Sequence, residues 1–373
     1  MNEKSITTIT LKKINKKSVY QYIYEHRQTA KQQIVQDLTM GLSTVSQNLN
    51  VLEKEGLISR DGFFESTGGR KAQVIQIVPE YRIAVGVGIL KNMFHLAAVN
   101  LYGEAIAEET VAVPFAQSDA YYDGIASSLE SFLDRNGYDR EKILGVSIAT
   151  QGIPAPDGES VLYGEILHNT DMKLADFSTR IPYPCRLEHD SKAAASLELW
   201  NHPEIESAVV FLLNRNLGGA VITNHKVHQG LSMHSGTLEH ICIDPEGPEC
   251  YCGQKGCLET YCSANALEAA AQMPVKEFFP ALRAGNDARL MEIWDAYLSH
   301  LAYAMKTANL LLDGAVIVSG FKEEDCRTLL EKVDAASPFP LVREQLLVGT
   351  HGQYTPAIGA ALLFIEEFLQ SEF

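Results

Sequence analysis

The sequence has no apolar segment long enough to suggest a transmembrane helix. No stretch offers about 18 consecutive uncharged apolar residues, and the first residues, MNEKSITTITLKK, lack the apolar core of a secretory leader. Low-complexity tracts are absent, and a hydrophobic fraction of 46% with 21% charged residues is ordinary for a folded chain. We therefore expect a cytoplasmic protein without a membrane partner, whose 373 residues form two or three compact units.

Basic residues are in the minority, with 31 Lys and Arg against 47 Asp and Glu and a net charge of −16. This balance argues against nucleic-acid binding by most of the chain, but the charge is unevenly distributed. Residues 1–80 carry 11 basic and 8 acidic residues, whereas the remainder carries 20 and 39. Only the N-terminal unit is therefore suited to contact phosphate.

Cysteine is scarce too, and seven residues, an odd number, do not predict a disulfide framework. Cys250, Cys252 and Cys257 are clustered, with His240 ten residues before the first of them. Three thiolates and an imidazole are typical of structural Zn²⁺, and the intervening glycines allow a tight loop. The alternative is three reduced cysteines on an exposed loop. The remaining cysteines are interpreted as small buried residues: Cys185, Cys242, Cys262 and Cys326.

The N-terminal unit contains three closely spaced segments with helical patterns, at residues 18–26, 29–38 and 43–55. The short break at residues 39–42 contains Gly41, as expected between the two helices of a helix-turn-helix. Ser43 is predicted to be the N-cap of the third helix.

The third helix is predicted to be the recognition helix. Val45, Leu49 and Leu52 recur at helical spacing and should face the core. The opposite face is rich in hydroxyl and amide groups, which suit base edges in a DNA major groove. Its candidate DNA contacts are Ser43, Thr44, Ser46, Gln47 and Asn50. An ordinary amphipathic surface helix is the alternative.

A hairpin pattern follows the three helices. Phe63 and Phe64 begin an extended stretch, residues 66–71 form a tight basic turn, and residues 72–78 alternate as a strand. Arg70 and Lys71 at the tip are placed to reach a phosphate or the minor groove. Residues 1–80 are therefore predicted to be a winged helix-turn-helix DNA-binding domain.

The body alternates strands with helices, which predicts an α/β fold with mostly covered sheets. Two adjacent strands are predicted within residues 83–99, and later strands at residues 143–148, 208–213 and 315–318. Helices are predicted at residues 121–136, 191–200, 264–273, 288–312 and 357–369.

The run Cys-x-Cys-Gly-x-x-Gly-Cys-Leu-Glu, present as Cys250 to Glu259, resembles the signature of the ROK family of repressors and sugar kinases. The likeness covers nearly the whole chain. It implies a winged helix-turn-helix and a two-lobed body of the actin and hexokinase (ribonuclease H-like) type. The implied lobes are residues 81–185, completed by a C-terminal helix at 357–373, and residues 186–356, with the zinc loop at 240–257. The implied zinc ligands are His240, Cys250, Cys252 and Cys257.

The resemblance also implies a sugar pocket. Asp190 matches the family's catalytic aspartate, although His189 replaces the asparagine before it. Asp190 could alternatively be a helix N-cap. A family glutamate three residues before the zinc-binding histidine is Thr237 here. The implied sugar-binding residues are Asp190, His240, Glu259, Gly152 and Asn169.

Both phosphate loops of the family kinases are altered. The first, Asp-x-Gly-Gly-Thr, corresponds to residues 86–90, Gly-Val-Gly-Ile-Leu, which have lost the carboxylate and the hydroxyl. The second, Gly-Thr-Gly-x-Gly-Gly, corresponds to residues 214–219 and keeps only its last two glycines. Phosphoryl transfer depends on positioning and electrostatic stabilisation of the phosphates, so we expect no kinase activity.

The sequence therefore predicts a transcriptional regulator of carbohydrate genes, most simply a repressor. It would bind a palindromic DNA operator as a homodimer or higher oligomer, and respond to a sugar or sugar derivative between the lobes. Two alternatives stay open. One is an active sugar kinase with an accessory DNA-binding domain. The other is a repressor that needs no ligand and uses its body for dimerisation.

Overall fold

A computed structural model describes residues 8–65, 71–320, 323–336, 345–350 and 352–373. The N-terminal part, here called the head, has three helices and a two-stranded antiparallel sheet. Its elements are α1 (Thr8–His26), α2 (Lys31–Asp37), α3 (Leu42–Lys54), β1 (Ile58–Ser59) and β2 (Gln76–Ile77). Val45, Leu49 and Leu52 are fully buried, as their spacing predicts.

All three helix starts in the head differ from the sequence prediction, and the second helix begins at Lys31, two residues after Thr29. The first helix begins at Thr8, ten residues before Ser18. The third begins at Leu42, because Gly41 has extended backbone angles and its carbonyl accepts the Val45 amide at 3.0 Å. Gly41 is therefore the N-cap residue, and Ser43 lies inside the first turn.

The first lobe is built on a five-stranded mixed sheet with the order β5-β4-β3-β6-β9. Its strands are β3 (Ile83–Ile89), β4 (Phe94–Val99), β5 (Ala105–Val111), β6 (Ile143–Thr150) and β9 (Cys185–His189). β3 is central and is paired to β4 antiparallel and to β6 parallel. One face packs against α4 (Asp119–Arg135) and α5 (Ala175–Ser178), where Phe132 and Phe177 are buried. A small hairpin, β7 (Ile153–Pro154) with β8 (Val161–Tyr163), lies beyond β6.

The second lobe has another five-stranded sheet, in the order β12-β11-β10-β13-β14. Its strands are β10 (Ala208–Leu212), β11 (Gly218–Thr223), β12 (Lys226–Val227), β13 (Ala315–Ser319) and β14 (Leu346–Val348). Its helices are α7 (Glu259–Cys262), α8 (Ala264–Ala271), α9 (Val275–Ala284), α10 (Ala288–Leu312) and α11 (Glu323–Ala336). The largest core cluster joins α7 to α10 with this sheet.

Two helices connect the lobes and the head. α6 (Asp190–Asn201) follows β9 directly, and α12 (Thr355–Glu372) packs against α6 and against the first sheet. The C-terminal end of α12 reaches the head, where the Phe373 ring lies 5.6 Å from that of Tyr20 and 5.1 Å from that of Tyr24. The α/β, two-lobed body predicted from the sequence is confirmed.

Candidate functional site

The exposed face of α3 carries the polar side chains predicted to contact DNA. Ser43, Gln47 and Asn50 are exposed, and Thr44 and Ser46 are half-buried. The Asn50 carboxamide oxygen accepts a hydrogen bond from Arg60 at 2.6 Å, and Arg60 also pairs with Glu53 at 3.2 Å. The sequence analysis overlooked Arg60 because it lies beyond the helix, at the end of β1, and only the fold brings its guanidinium beside Asn50.

The strands after α3 lead into the predicted wing. β1 pairs with β2, and a further bridge joins Phe63 to Gln73. Lys71 is exposed, whereas Arg70 lies outside the described residues. Of the two basic side chains predicted at the wing tip, Lys71 is therefore in solvent.

The predicted metal ligands come together in the second lobe. One ligand atom from each of four residues, His240, Cys250, Cys252 and Cys257, lies within 4.8 Å of all the others. Cys252 and Cys257 sulfurs are 3.7 Å apart, and the Cys250 sulfur lies 3.8 Å from His240 Nδ1. Zinc–sulfur bonds of about 2.3 Å in tetrahedral geometry separate the ligand atoms by about 3.8 Å, so the donor set fits this ion.

The surroundings of the cluster fit a closed metal centre as well. Cys250 and Cys257 are buried, and burial lowers the pKa of His240, which keeps its imidazole in the neutral, metal-binding form. Gly256 has a positive φ of 68°, and a Cβ there would lie 1.6 Å from the Asp244 carbonyl oxygen. Glycine is therefore required for the loop to turn this tightly.

The prediction that the remaining cysteines are buried holds for only one of those whose side chains are described. Cys262 is buried, but Cys185 is half-buried and Cys242 is exposed. Cys242 is exposed because it lies on the surface loop that leads into the cluster. In this loop its backbone forms an isolated antiparallel β-bridge with the backbone of Cys257. The side chain of Cys326 lies outside the described residues.

A cleft lies between the two lobes, at the carboxyl ends of β6, β9 and β10. Ligand sites in open α/β folds occur at this end of the strands. Gly152, Asp190 and His240 line the cleft, together with residues that the sequence analysis did not assign to it. These include Gln151, Tyr163, Glu165, His189, Asn214, Asn216, Glu239 and Tyr251.

Asp190 begins α6 and faces this cleft. Its Oδ1 atom accepts hydrogen bonds from the Ser191 amide at 2.7 Å and the Ser191 hydroxyl at 3.2 Å, and lies 3.5 Å from His189 Nε2. Burial raises the pKa of Asp190, an effect that His189 and Ser191 oppose. The N-cap position of α6 is His189, so Asp190 does not cap the helix as the alternative interpretation had it.

Gly152 and Asn169 lie on the first-lobe side. A Cβ at Gly152 would lie 2.8 Å from Val161 Cγ1 and 3.2 Å from Asn169 Oδ1, so a larger residue would displace the hairpin. Asn169 is fully buried behind Gly152, and its Nδ2 atom donates to the Thr150 hydroxyl at 2.9 Å. Its Oδ1 atom has no hydrogen-bond partner within the described part of the chain.

Glu259 is buried and holds the loop that resembles the second phosphate loop. One carboxylate oxygen accepts from Asn216 Nδ2 at 2.8 Å, and the other from the Leu217 amide at 2.7 Å. Burial raises the pKa of Glu259 to about 7, although these donors oppose the rise. The Leu217 amide is thus already hydrogen-bonded to a carboxylate within the protein.

The strand that resembles the first phosphate loop is covered by a helix. A Cβ on Gly86 would lie 1.7 Å from the carbonyl oxygen of Ala357 in α12. Real Cβ atoms do not approach backbone this closely, so α12 occupies the space that a side chain at residue 86 would need.

Glu239 is a cleft residue that sequence reasoning missed. It lies in the 3₁₀ turn Leu238–His240 and is only 6% exposed. Burial, together with the charges of Asp190 and Glu259, raises the pKa of Glu239 to about 8. Its position directly before a metal ligand could have drawn attention to it, but the family comparison pointed to residue 237.

Comparison with known proteins places this geometry in a family. The profile of the ROK family matches residues 82–367. The chain is 23% identical to the DNA-binding transcriptional dual regulator NagC of Escherichia coli (strain K12), over 95% of this chain and 92% of that protein. It is also 23% identical to the xylose repressor of Bacillus spizizenii, over 96% of this chain and 97% of the relative.

Solved structures agree on the fold. A ROK family transcriptional regulator, a homologue of the E. coli MLC protein, superposes with a TM-score of 0.74 at 18% identity, over 97% of this chain and 98% of that one. A ROK family glucokinase from Streptomyces griseus superposes with a TM-score of 0.65 at 20% identity, over 75% of this chain and 98% of the kinase. No described helix has the length and apolarity needed to cross a membrane. With the family profile matching residues 82–367, well over half of its length, this chain belongs to the ROK family.

Proposed function

We propose that this protein is a sequence-specific transcriptional repressor of carbohydrate genes, controlled by a sugar bound between its lobes. The observation that carries the proposal is that one chain contains both a head with a polar exposed helix face and a body with a cleft between its lobes. The head presents a face of exposed hydroxyl and amide groups, and the cleft keeps Asp190 and His240 while the space at Gly86 is filled. The names of the relatives, a NagC regulator and a xylose repressor, support the same role.

The body acts as a sensor and not as a kinase. Phosphoryl transfer requires groups that hold and neutralise the phosphates. At the first loop α12 stands against Gly86, and at the second the Leu217 amide bonds Glu259. Asp190 then serves to orient a sugar hydroxyl through hydrogen bonds. A coupled ATPase assay across hexoses tests this, and robust turnover abolished by Asp190→Asn would overturn it.

A structural zinc ion would be held by His240 and the three clustered cysteines. When bound, it fixes the loop that carries His240 and Glu239 against the cleft. The His240 Nδ1 atom faces the sulfurs, and Nε2 faces Glu239 Oε1 at 3.9 Å. The zinc loop is therefore part of the cleft wall and supports ligand binding indirectly.

The route from cleft to head runs through two packed helices. Asp190 begins α6, α6 packs along α12, and the end of α12 meets α1. There the Lys17 ammonium donates to the Ser371 carbonyl at 2.6 Å, beside the ring contacts of Phe373. The cleft is narrow, with a volume of about 40 Å³, and in the proposed mechanism the lobes part as a sugar enters. Lobe movement would shift α12 and with it the head.

A dimer would place two heads on the halves of a palindromic operator. The outer face of α10 supports an interface between two copies, because Tyr303 and Leu311 are 57% and 87% exposed there. Large apolar side chains in solvent mark surfaces that a partner covers. In this arrangement the spacing of the two heads sets operator affinity, and movement of the lobes changes that spacing.

The test is selection of operator sequences from a random duplex pool by the full-length protein, followed by affinity measurement with and without sugars. We expect enrichment of a palindrome and a change in affinity with at least one sugar. Gln47→Ala and Asn50→Ala should each weaken binding about 5- to 150-fold, the range of about 1–3 kcal/mol for a base contact. Gln117→Ala, an exposed glutamine in the first lobe, is the matched control and should bind as wild type.

The outcomes separate the proposal from its rivals. A palindrome whose affinity is unaffected by every sugar in the panel would indicate a repressor that needs no ligand. Failure to enrich any sequence, or equal affinity for Gln47→Ala and wild type, would contradict the assignment of α3 as the recognition helix.

A further inference from the structure

Glu239 has the geometry of a ligand-binding residue. It is 94% buried, lines the cleft beside Asp190 and His240, and its Oε2 atom has no hydrogen-bond partner in the described structure. Its other oxygen is 3.9 Å from His240 Nε2, beyond hydrogen-bond distance. Buried polar atoms are nearly always paired, so an unpaired one facing a cleft points to a missing partner.

The side chain of Thr237, on the same loop, explains why the carboxyl group in the cleft comes from residue 239. Thr237 stands where the family comparison expects a glutamate, but its hydroxyl donates to the His234 carbonyl at 3.0 Å within the loop. Thr237 does not line the cleft. Two residues later the 3₁₀ turn directs Glu239 inward, so a carboxyl group is supplied to the cleft from a different position on the same loop.

The charges around the cleft limit what can bind there. Three carboxyl residues line it, Glu165, Asp190 and Glu239, and its described lining contains no lysine or arginine. Lys192, on the helix that Asp190 begins, donates its ammonium to the Gln229 carbonyl at 3.1 Å, the Gln229 side chain at 3.0 Å and the Met233 carbonyl at 2.7 Å. A phosphate group would therefore meet carboxyl groups without a free cation to neutralise it.

We propose that Glu239 binds a hydroxyl or amine of the effector, and that the effector is an unphosphorylated sugar. A sugar hydroxyl can donate to or accept from a carboxyl group, so it satisfies Oε2 in either protonation state. This inference rests on the proposed function, because it assigns the ligand class of the same cleft.

The test is calorimetric titration of the full-length protein with xylose, glucose, mannose, N-acetylglucosamine and glucosamine, and with the 6-phosphates of these hexoses. For a sugar that binds wild type, Glu239→Ala should raise Kd about tenfold or more, the loss of one hydrogen bond to a charged or buried partner. Glu239→Gln, which keeps the shape and one acceptor, should recover part of the affinity. Thr237→Ala is the matched control on the same loop and should stay within threefold of wild type.

For each hexose that binds, its 6-phosphate should bind at least tenfold more weakly to wild type, a comparison that does not depend on the folding of any variant. Tighter binding of a 6-phosphate, or a Kd for Glu239→Ala within twofold of wild type, would overturn this inference and leave the proposed function standing. If wild type binds no member of the panel while still selecting an operator, the sugar-sensing part of the proposed function fails and this inference fails with it.

Discussion

Replacing Gly86 by alanine tests how closely α12 packs on β3. The added Cβ would lie 1.7 Å from the Ala357 carbonyl oxygen, 2.5 Å from its carbonyl carbon and 3.0 Å from its Cα. All three atoms are backbone, so no rotamer change relieves the overlap. Either α12 or β3 must move.

Neither element can move cheaply. At Gly86, β3 is bound on one side to Ala97 of β4 and on the other to Ser147 of β6. α12 is an 18-residue helix with much of one face buried against the sheet and α6. Overpacking a core costs about 1–3 kcal/mol when side chains can adjust. Because backbone is involved here, we expect Gly86→Ala to lower the free energy of unfolding by about 3 kcal/mol or more.

Urea denaturation followed by far-UV circular dichroism measures this change. Gly124→Ala is the matched control, because Gly124 lies in α4 with nothing within 4 Å of its added Cβ. Alanine in that helix should stabilise the protein by about 0.5–1 kcal/mol. A Gly86→Ala protein within 1 kcal/mol of wild type would refute the packing argument. Gly86→Asp, which places a longer side chain at the same position, should be at least as unstable as Gly86→Ala.

Three further predictions concern the metal, the pH dependence and the coupling. Cys257→Ser should lose bound zinc, measured by elemental analysis, and should melt at a lower temperature; full zinc content would contradict the assigned ligands. Burial raises the pKa of Glu188 to about 7 from 4.5, so the folded state holds this proton more tightly than the unfolded chain. The free energy of unfolding should therefore fall as pH rises from about 4.5 to about 7, by about 2 kcal/mol from this group, and Glu188→Gln should lack that fall; an unchanged slope would refute the assignment. Phe373→Ala should leave sugar Kd unchanged but reduce the effect of sugar on operator affinity, and full retention of that effect would exclude the contact with Tyr20 and Tyr24 as the route.

The features predicted well from the sequence are those set by short-range patterns. The core face of α3 depends on apolar residues at helical spacing, so Val45, Leu49 and Leu52 could be assigned directly. The metal cluster depends on cysteines within eight residues and one nearby histidine. The start of α1 was missed because Leu11 and Ile14 are half exposed, so its first half has no clear apolar face.

The cleft was harder to predict because it joins residues distant in sequence. Glu239, Asp190 and Gln151 meet only when both lobes are folded. Which carboxyl group faces the ligand depends on one 3₁₀ turn, and its backbone geometry cannot be deduced from residue types. Family matching therefore selected Thr237 as the position to inspect, although its hydroxyl is bound within its own loop.

One helix, α12, lies against β3 and also leads to the head. Its first turn lies on Gly86, and Phe373, which follows its last residue, contacts α1. An aspartate at residue 86 would force α12 away from β3, and its far end would then move relative to Tyr20 and Tyr24. Close packing at Gly86 therefore fixes where Phe373 meets the head. Any side chain at residue 86 would therefore displace the contact that we propose carries the sugar signal to the head.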